Sequence, residues 1–189
     1  MKAEIREPEV VDARGAFLQI VKNYFCSTAQ ESIFKAQFLE LLKHEDAFQR
    51  THLPGHITGS AFIVSEDQSQ TLLVHHVKLN KWLQPGGHAD GDANVVRVAL
   101  REANEETGLE MLVLSSPEIF DLDIHTIPTR KDFPPHDHYD VRYLFKASTK
   151  EKIIVSEESH DVKWVSLSEL ERYNNETSIL RMRDKLLTN

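Results

Sequence analysis

Glu102, Glu105 and Glu106 are the residues of this chain best placed to do chemistry. Residues three and four apart are neighbours on a helix, so in helical conformation Glu102 lies beside both of the others. Like charges in that arrangement repel by roughly 0.2–0.5 kcal/mol per pair. A hard divalent cation relieves the repulsion, and Mg²⁺ takes carboxylate oxygens while keeping several waters that a phosphate can displace. A glutamate cluster standing alone is ordinarily a solvated helix face, so the residues around it carry the decision.

Those residues predict the helix. Gly86-Gly87-His88-Ala89-Asp90-Gly91-Asp92 reads as a glycine turn, with Asp92 as an N-cap accepting from the free N–H groups of the first turn. The spacing predicts a helix over Ala93–Leu109, ended by Gly108 in the left-handed conformation that glycine adopts cheaply. Val96, Ala99, Leu100 and Ala103 repeat at helical spacing and form its expected buried stripe.

The segment also resembles the Nudix box, a glycine, five residues, a glutamate, seven residues, then Arg-Glu-apolar-any-Glu-Glu-any-Gly-apolar. Counted from Gly87, this chain supplies Arg101, Glu102, Ala103, Glu105, Glu106, Gly108 and Leu109 in register, and Trp82-Leu83-Gln84-Pro85-Gly86-Gly87 is similar to the family's lead-in. One position departs: the first box glutamate falls at 93, where this chain has Ala93, with Asp92 the nearest acid and an expected stand-in. The resemblance implies an α/β fold, a Nudix-type α/β/α sandwich with a mixed sheet, over roughly residues 55–175. It implies a hydrolase cleaving a nucleoside diphosphate linked to another group by attack of water on phosphorus, with Mg²⁺ or Mn²⁺ as cofactor. Glu102 and Glu106 then match the principal metal ligands, Glu105 a further one, and the Gly86 carbonyl a backbone ligand. Arg101 matches an orienting residue paired with a box carboxylate. A non-catalytic nucleotide-binding domain is the alternative that the change to Ala93 raises.

The general base is open between Glu105 and the pair Glu157-Glu158, on a loop well after the box. His88, Arg130 and His138 are candidate contacts to phosphate or sugar. His75-His76, His88, His125, His136 and His138, with Asp121, Asp123 and Asp140, could also build a softer site, since imidazole suits zinc. No cysteine partner and no helical His-x-x-x-His accompanies them, which disfavours a dedicated zinc site.

The remaining sequence has to hold this segment in place. Residues 1–50 are expected to be a helical extension and residues 51–189 the Nudix domain. In the extension, Ala16–Cys26 predicts a helix, and Ser27 with Gln30 or Thr28 with Glu31 offers a capping box for a second. Phe17, Leu18, Phe34, Phe38 and Leu42 need burial, either against the domain or in a homodimer interface. Beyond Pro54-Gly55 the patterning turns strand-like: Ser60–Val64, Leu72–Val77, Met111–Leu114, Phe120–His125, His138–Phe145, Lys152–Val155 and Val162–Val165 are predicted strands or short apolar runs. Ser166 with Glu169 predicts a capping box for a short helix through Tyr173, and Ile179, Met182 and Leu186 mark a last amphipathic helix. A net charge of −8 argues against a large nucleic-acid surface. The single cysteine, Cys26, and the lack of an apolar run of about 18 residues point to a cytoplasmic protein that does not enter membranes.

Overall fold

In the computed structural model, residues 12–129 and 134–188 are described. Two helices, α1 (Ala13–Asn23) and α2 (Ala29–Leu41), precede the sheet. The strands are β1 (Gly55–Ser65), β2 (Gln70–His76), β3 (Lys81–Leu83), β4 (Gly86–His88), β5 (Val113–Leu114), β6 (Asp121–Ile127), β7 (His136–Ala147) and β8 (Ser159–Ser166). Helix α3 (Val95–Thr107) lies between β4 and β5, and α4 (Leu170–Tyr173) and α5 (Thr177–Thr188) end the chain.

The strands form one mixed sheet in the order β3-β2-β1-β7-β5, with β4 added to β1, β6 to β7 and β8 to β2. β1 and β7 run parallel over their whole length, Gly55 opposite Asp137 through Ser65 opposite Ala147, and the other pairings are antiparallel. Every residue of β1 is buried, as a strand with neighbours on both edges and helices on both faces must be. Ile57, Ala61 and Ile63 belong to a core shared with α1, α2 and α3, whereas Phe62 and Val64 belong to a second one shared with α5. This is the α/β/α layering expected, with the sheet curled between the helices.

The first two helices cover the domain. Thr28 and Glu31 form the reciprocal capping box, and Phe17, Phe38 and Leu42 are buried in the chain's own core. Phe38 meets the Tyr139 ring edge-on at 5.2 Å, and the Ile57 N–H donates to the Ala47 carbonyl at 2.9 Å. Leu18 packs partly buried on the same core and Phe34 is half-buried under Arg181, so a homodimer through these faces would have to uncover Phe17, Phe38 and Leu42.

A second tie is ionic. Asp121 receives Arg142 at 3.2 Å, Arg181 at 2.7 Å and Lys185 at 2.7 Å, and Lys185 also reaches Glu31, to which the Tyr24 hydroxyl donates. Burial opposes ionisation of Glu31, but hydrogen bonds from Lys185, Ser27 and Tyr24 prevail and hold its carboxyl down at about 2. One network thus joins α2, β6 and α5.

Several local expectations are corrected. The first helix is Ala13–Asn23 rather than Ala16–Cys26, because the Asp12 side chain accepts from the Gly15 N–H and starts it early, leaving Phe25 84% exposed beyond its end. Lys152–Val155 is not a strand; it runs irregularly past the end of α3, where Ile154 N–H donates to the Thr107 carbonyl. Ser166 precedes a 3₁₀ turn without a side-chain cap. The C-terminal stripe of Ile179, Met182 and Leu186 is buried as expected.

A chain shortened to begin near Thr51 should therefore aggregate or melt well below the full-length protein, because Ile57, Tyr139 and Asp121 lose their cover. Thermal melting and light scattering check this, and a soluble truncation with an unchanged melting temperature would contradict it.

Candidate active site

Helix α3 begins two residues later than expected. Asn94 is its N-cap, its side chain accepting from Arg97 N–H at 3.2 Å, and Asp92 is not. Asp92 instead accepts from Asn94 N–H at 2.9 Å and holds Arg97 through bonds of 2.7 and 2.8 Å. Gly108 closes the helix with φ +70°, where an added Cβ would lie 2.5 Å from Ile154. The buried stripe is Val95, Val98, Ala99 and Ala103, continued by Glu106 and Thr107, while Leu100 is exposed. The stripe is turned by about one position from expectation because the helix packs on β1 at Gly59, where Val95 and Val98 meet the bare backbone.

This rotation puts the glutamates against β4. The glycines expected in a turn form a strand paired with β1, Gly86 opposite Ser60 and Gly87 opposite Gly59. A Cβ on Gly86 would lie 2.1 Å from Ser60 Oγ and 2.9 Å from its Cα, so that position needs bare backbone, and one on Gly87 would lie 2.4 Å from the Glu102 carboxyl carbon and push that carboxylate aside. Glu106 is 6% exposed, and its carboxylate takes a backbone hydrogen bond from Gly86. Its Oε2 is buried without a hydrogen-bond partner. Burial first, then repulsion from Glu102 and Glu158, pushes the Glu106 carboxyl up to about 8. Glu102 is raised too, by burial, with Arg101 opposing. Glu105 is exposed and lies 3.4 Å from Arg101.

Arg101 donates to the His88 carbonyl at 3.0 Å and lies 2.8 Å from Glu102. It is therefore oriented by β4 and by Glu102, and Asp92 is committed to Arg97 instead of filling the place of the missing glutamate. Ala93 packs partly buried against the core. Glu157 and Glu158 are both exposed at the turn before β8, and Glu158 is the one whose charge acts on Glu102 and Glu106.

The aspartates expected to support a histidine metal site are taken up elsewhere. Asp140 holds Arg142 at 2.7 Å and accepts from Ser60 and Thr58 at 2.7 and 3.1 Å. Asp121 and Asp123 are held by Arg142 and Arg181. His75 stacks on Trp82, ring centroids 4.9 Å apart. His88, His125, His136 and His138, however, do come together, around a residue that sequence reading missed, His56. No strand was expected before Ser60, so nothing pointed His56 at this face. Burial, with Arg50 and His56 nearby, lowers the His88 imidazole to about 4. Burial among the other histidines lowers His138 to about 2, so both rings are neutral at pH 7 and bring no charge to a phosphate. Arg130 lies outside the described residues.

The NUDIX domain family model matches residues 55–185, more than half of the chain. With the box in register on α3 and the sheet sandwiched between helices, the chain belongs to the Nudix family. A crystal structure of a NUDIX-family hydrolase from Clostridium perfringens is 28% identical, covering 69% of this chain and 95% of that one at a TM-score of 0.53. The Ap4A hydrolase of C. elegans in a binary complex is 17% identical, covering 70% of this chain and 95% of that one, also at 0.53. The dihydroneopterin triphosphate pyrophosphohydrolase of E. coli is 11% identical over 70% of this chain and 96% of that one, at 0.54. These last two are alike in fold alone. Among curated proteins none matches. Among the described residues no helix is long and apolar enough to cross a membrane.

Oxygen donors on one helix face, one of them a buried oxygen without a partner, fit a hard divalent cation. The raised Glu106 carboxyl then has a measurable consequence. A group whose pKa is higher folded than unfolded stabilises the fold at low pH and loses that contribution as pH rises through its folded value. The metal-free protein should therefore lose melting temperature from about pH 5 to pH 8, with Glu106→Gln flattening that slope. Millimolar Mg²⁺ should raise the melting temperature most at the upper end, because it binds the ionised form. An unchanged slope or Mg²⁺ response in Glu106→Gln would place the site elsewhere.

Proposed function

We propose that this chain is a divalent-metal-dependent pyrophosphohydrolase acting on a small molecule in which a nucleoside diphosphate is linked to another group. The observation that carries the reading is the buried Glu106 oxygen without a partner, beside Glu102 under the glycine strand. Glu102 and Glu106 would hold Mg²⁺ or Mn²⁺, with Glu105 and the Gly86 carbonyl as further ligands. Bound there, the cation would neutralise phosphate oxygens and acidify water.

The chain's own groups divide the remaining work. Arg101, tied to the His88 carbonyl and to Glu102, fixes the direction of the Glu102 carboxylate. Glu158 is the base assigned to take the proton of the attacking water, because its charge already acts on Glu102 and Glu106. Glu105 is the competing base, and Glu157 is set aside. The water oxygen bonds to phosphorus, the bridging P–O bond breaks, and the departing phosphate carries the electron pair. His88 and Arg130 remain proposed substrate contacts. The extension of residues 1–50 is proposed to stabilise the domain of residues 51–189 rather than to take part in chemistry.

One observation favours the second reading, a domain that binds a nucleotide without cleaving it. Ala93 leaves the first box position without a carboxylate, and Asp92 is engaged with Arg97. Against it, the direction of Arg101 is already set by two other partners, and loss of an orienting group typically costs about 10–100-fold, not all activity.

A panel of nucleotide sugars, dinucleoside polyphosphates and nucleoside triphosphates, run in ¹⁸O-water with Mg²⁺ or Mn²⁺, separates the two. The hydrolase reading expects label in a product phosphate, near-complete loss in Glu106→Gln and Glu102→Gln, and a change below about tenfold in Asp92→Asn. Binding of a panel member without turnover under either metal would establish the binding reading instead.

A further inference from the structure

Five imidazoles gather on one face of the sheet, and nothing in the proposed hydrolysis uses them as a group. Cross-strand partners share a face, and so do residues two apart along a strand. His56 on β1 pairs with His138 on β7, and His138 pairs with His125 on β6. His136 is two residues from His138, and His88 on β4 lies opposite Thr58, two residues from His56. Side-chain geometry agrees with the register. The His56 ring centroid is 5.1 Å from those of His88, His136 and His138, and the His138 centroid is 5.0 Å from that of His88 and 5.5 Å from that of His125.

Three of these residues, His56, His136 and His138, each offer a ring nitrogen within 4.8 Å of the other two. His56 is fully buried, and its Nε2 has no hydrogen-bond partner; the buried Nε2 of His138 likewise has none. The other nitrogen of His56 lies 3.3 Å from the His52 carbonyl, and Nδ1 of His136 lies 3.0 Å from the Pro134 carbonyl. A ring that donates from Nδ1 to a carbonyl carries its lone pair on Nε2, which is how metal-ligating histidines are usually held. Outside the trio, Nδ1 of His125 lies 3.3 Å from Asp123. Among hydrogen-bonding functions, a buried imidazole lone pair facing other imidazoles is a poor arrangement. Among ligand sets it is a good one.

We propose that His56, His136 and His138 form a second metal site, distinct in chemistry from the glutamate pair, for one imidazole-preferring divalent ion of the Zn²⁺ class. Three imidazole nitrogens bring no anionic charge to the ion and leave a fourth position for water or a phosphate oxygen. Tetrahedral ligation at about 2.0–2.1 Å needs donor atoms about 3.3 Å apart, so binding would draw the three rings together from separations of up to 4.8 Å. Hard cations such as Mg²⁺ select oxygen donors and do not compete for this set. The proposal stands independently of whether the protein hydrolyses anything.

The test uses the full chain, stripped of metal and kept in excess Mg²⁺ to fill oxygen sites. Co²⁺ added to it should give an intense visible d–d band saturating at one equivalent. The band should vanish in His138→Ala and in His136→Ala, and persist in Glu106→Gln and in His44→Ala, which breaks the exposed grouping of His44, Asp46 and His52. A variant-free arm guards against misfolding: with one equivalent of Zn²⁺, ¹⁵N NMR of the wild-type imidazoles should show three Nε2 resonances moving to metal-bound positions. No Co²⁺ band, a band lost in Glu106→Gln or kept in His138→Ala, or unmoved imidazole resonances would each overturn the site.

Discussion

The candidate site depends on how closely helix α3 approaches β4. Gly86 and Gly87 carry no side chain where Ser60 presses from one direction and Glu102 from the other, and any Cβ there would overlap its neighbour. With the helix rotation set by its packing on β1 at Gly59, that contact brings the carboxylates of Glu102 and Glu106 against the strand backbone. It also buries Glu106 beside two other negative charges, an arrangement unfavourable for the bare protein and favourable once a cation shares it. The acidic helix face and the glycine strand are two halves of one device. Either alone would be unremarkable.

The rest of the molecule keeps that device in register. β7 runs the length of β1 on the other edge, and its polar residues, Asp140 and Arg142, meet Thr58 and Ser60 of β1 and Asp121 and Asp123 of β6. Buried charges of this kind rarely add net stability over an apolar core, but removing one partner from a buried pair costs about 3–5 kcal/mol. The network thus penalises displacement of β6, β7 and α5 from one another. Through Lys185 and Glu31 it also fastens α2, which is why the two leading helices behave as part of the same folded body.

Much of this was legible in the sequence. The box residues Arg101 to Leu109 fixed the helix, its glycine stop and the glutamate face, because those depend on local spacing. The capping box of α2 was legible for the same reason as one of two overlapping choices, of which the fold takes Thr28–Glu31. What escaped depends on tertiary contact. Asp92 looked like a cap, but Arg97 outcompeted the helix terminus for its carboxylate and Asn94 took the capping role. The glycines looked like a turn because a strand of three residues has no period to read. Asp121, Asp123 and Asp140 could have supported a histidine metal site, which the sequence already disfavoured, and the cations that occupy them lie up to 64 residues away in sequence. His56 stayed hidden because Gly55–Gly59 carries no alternating apolar pattern, although it is buried strand throughout.

The central claim, that Glu102 and Glu106 bind a divalent cation because the glycine strand lets them, is tested most directly by Mn²⁺ binding followed by electron paramagnetic resonance. The wild type should quench the free Mn²⁺ signal, and Gly87→Ala, which keeps every carboxylate but crowds Glu102, should weaken binding by about tenfold or more with the helix intact by circular dichroism. Equal Mn²⁺ affinity in the wild type and in folded Gly87→Ala would contradict the account.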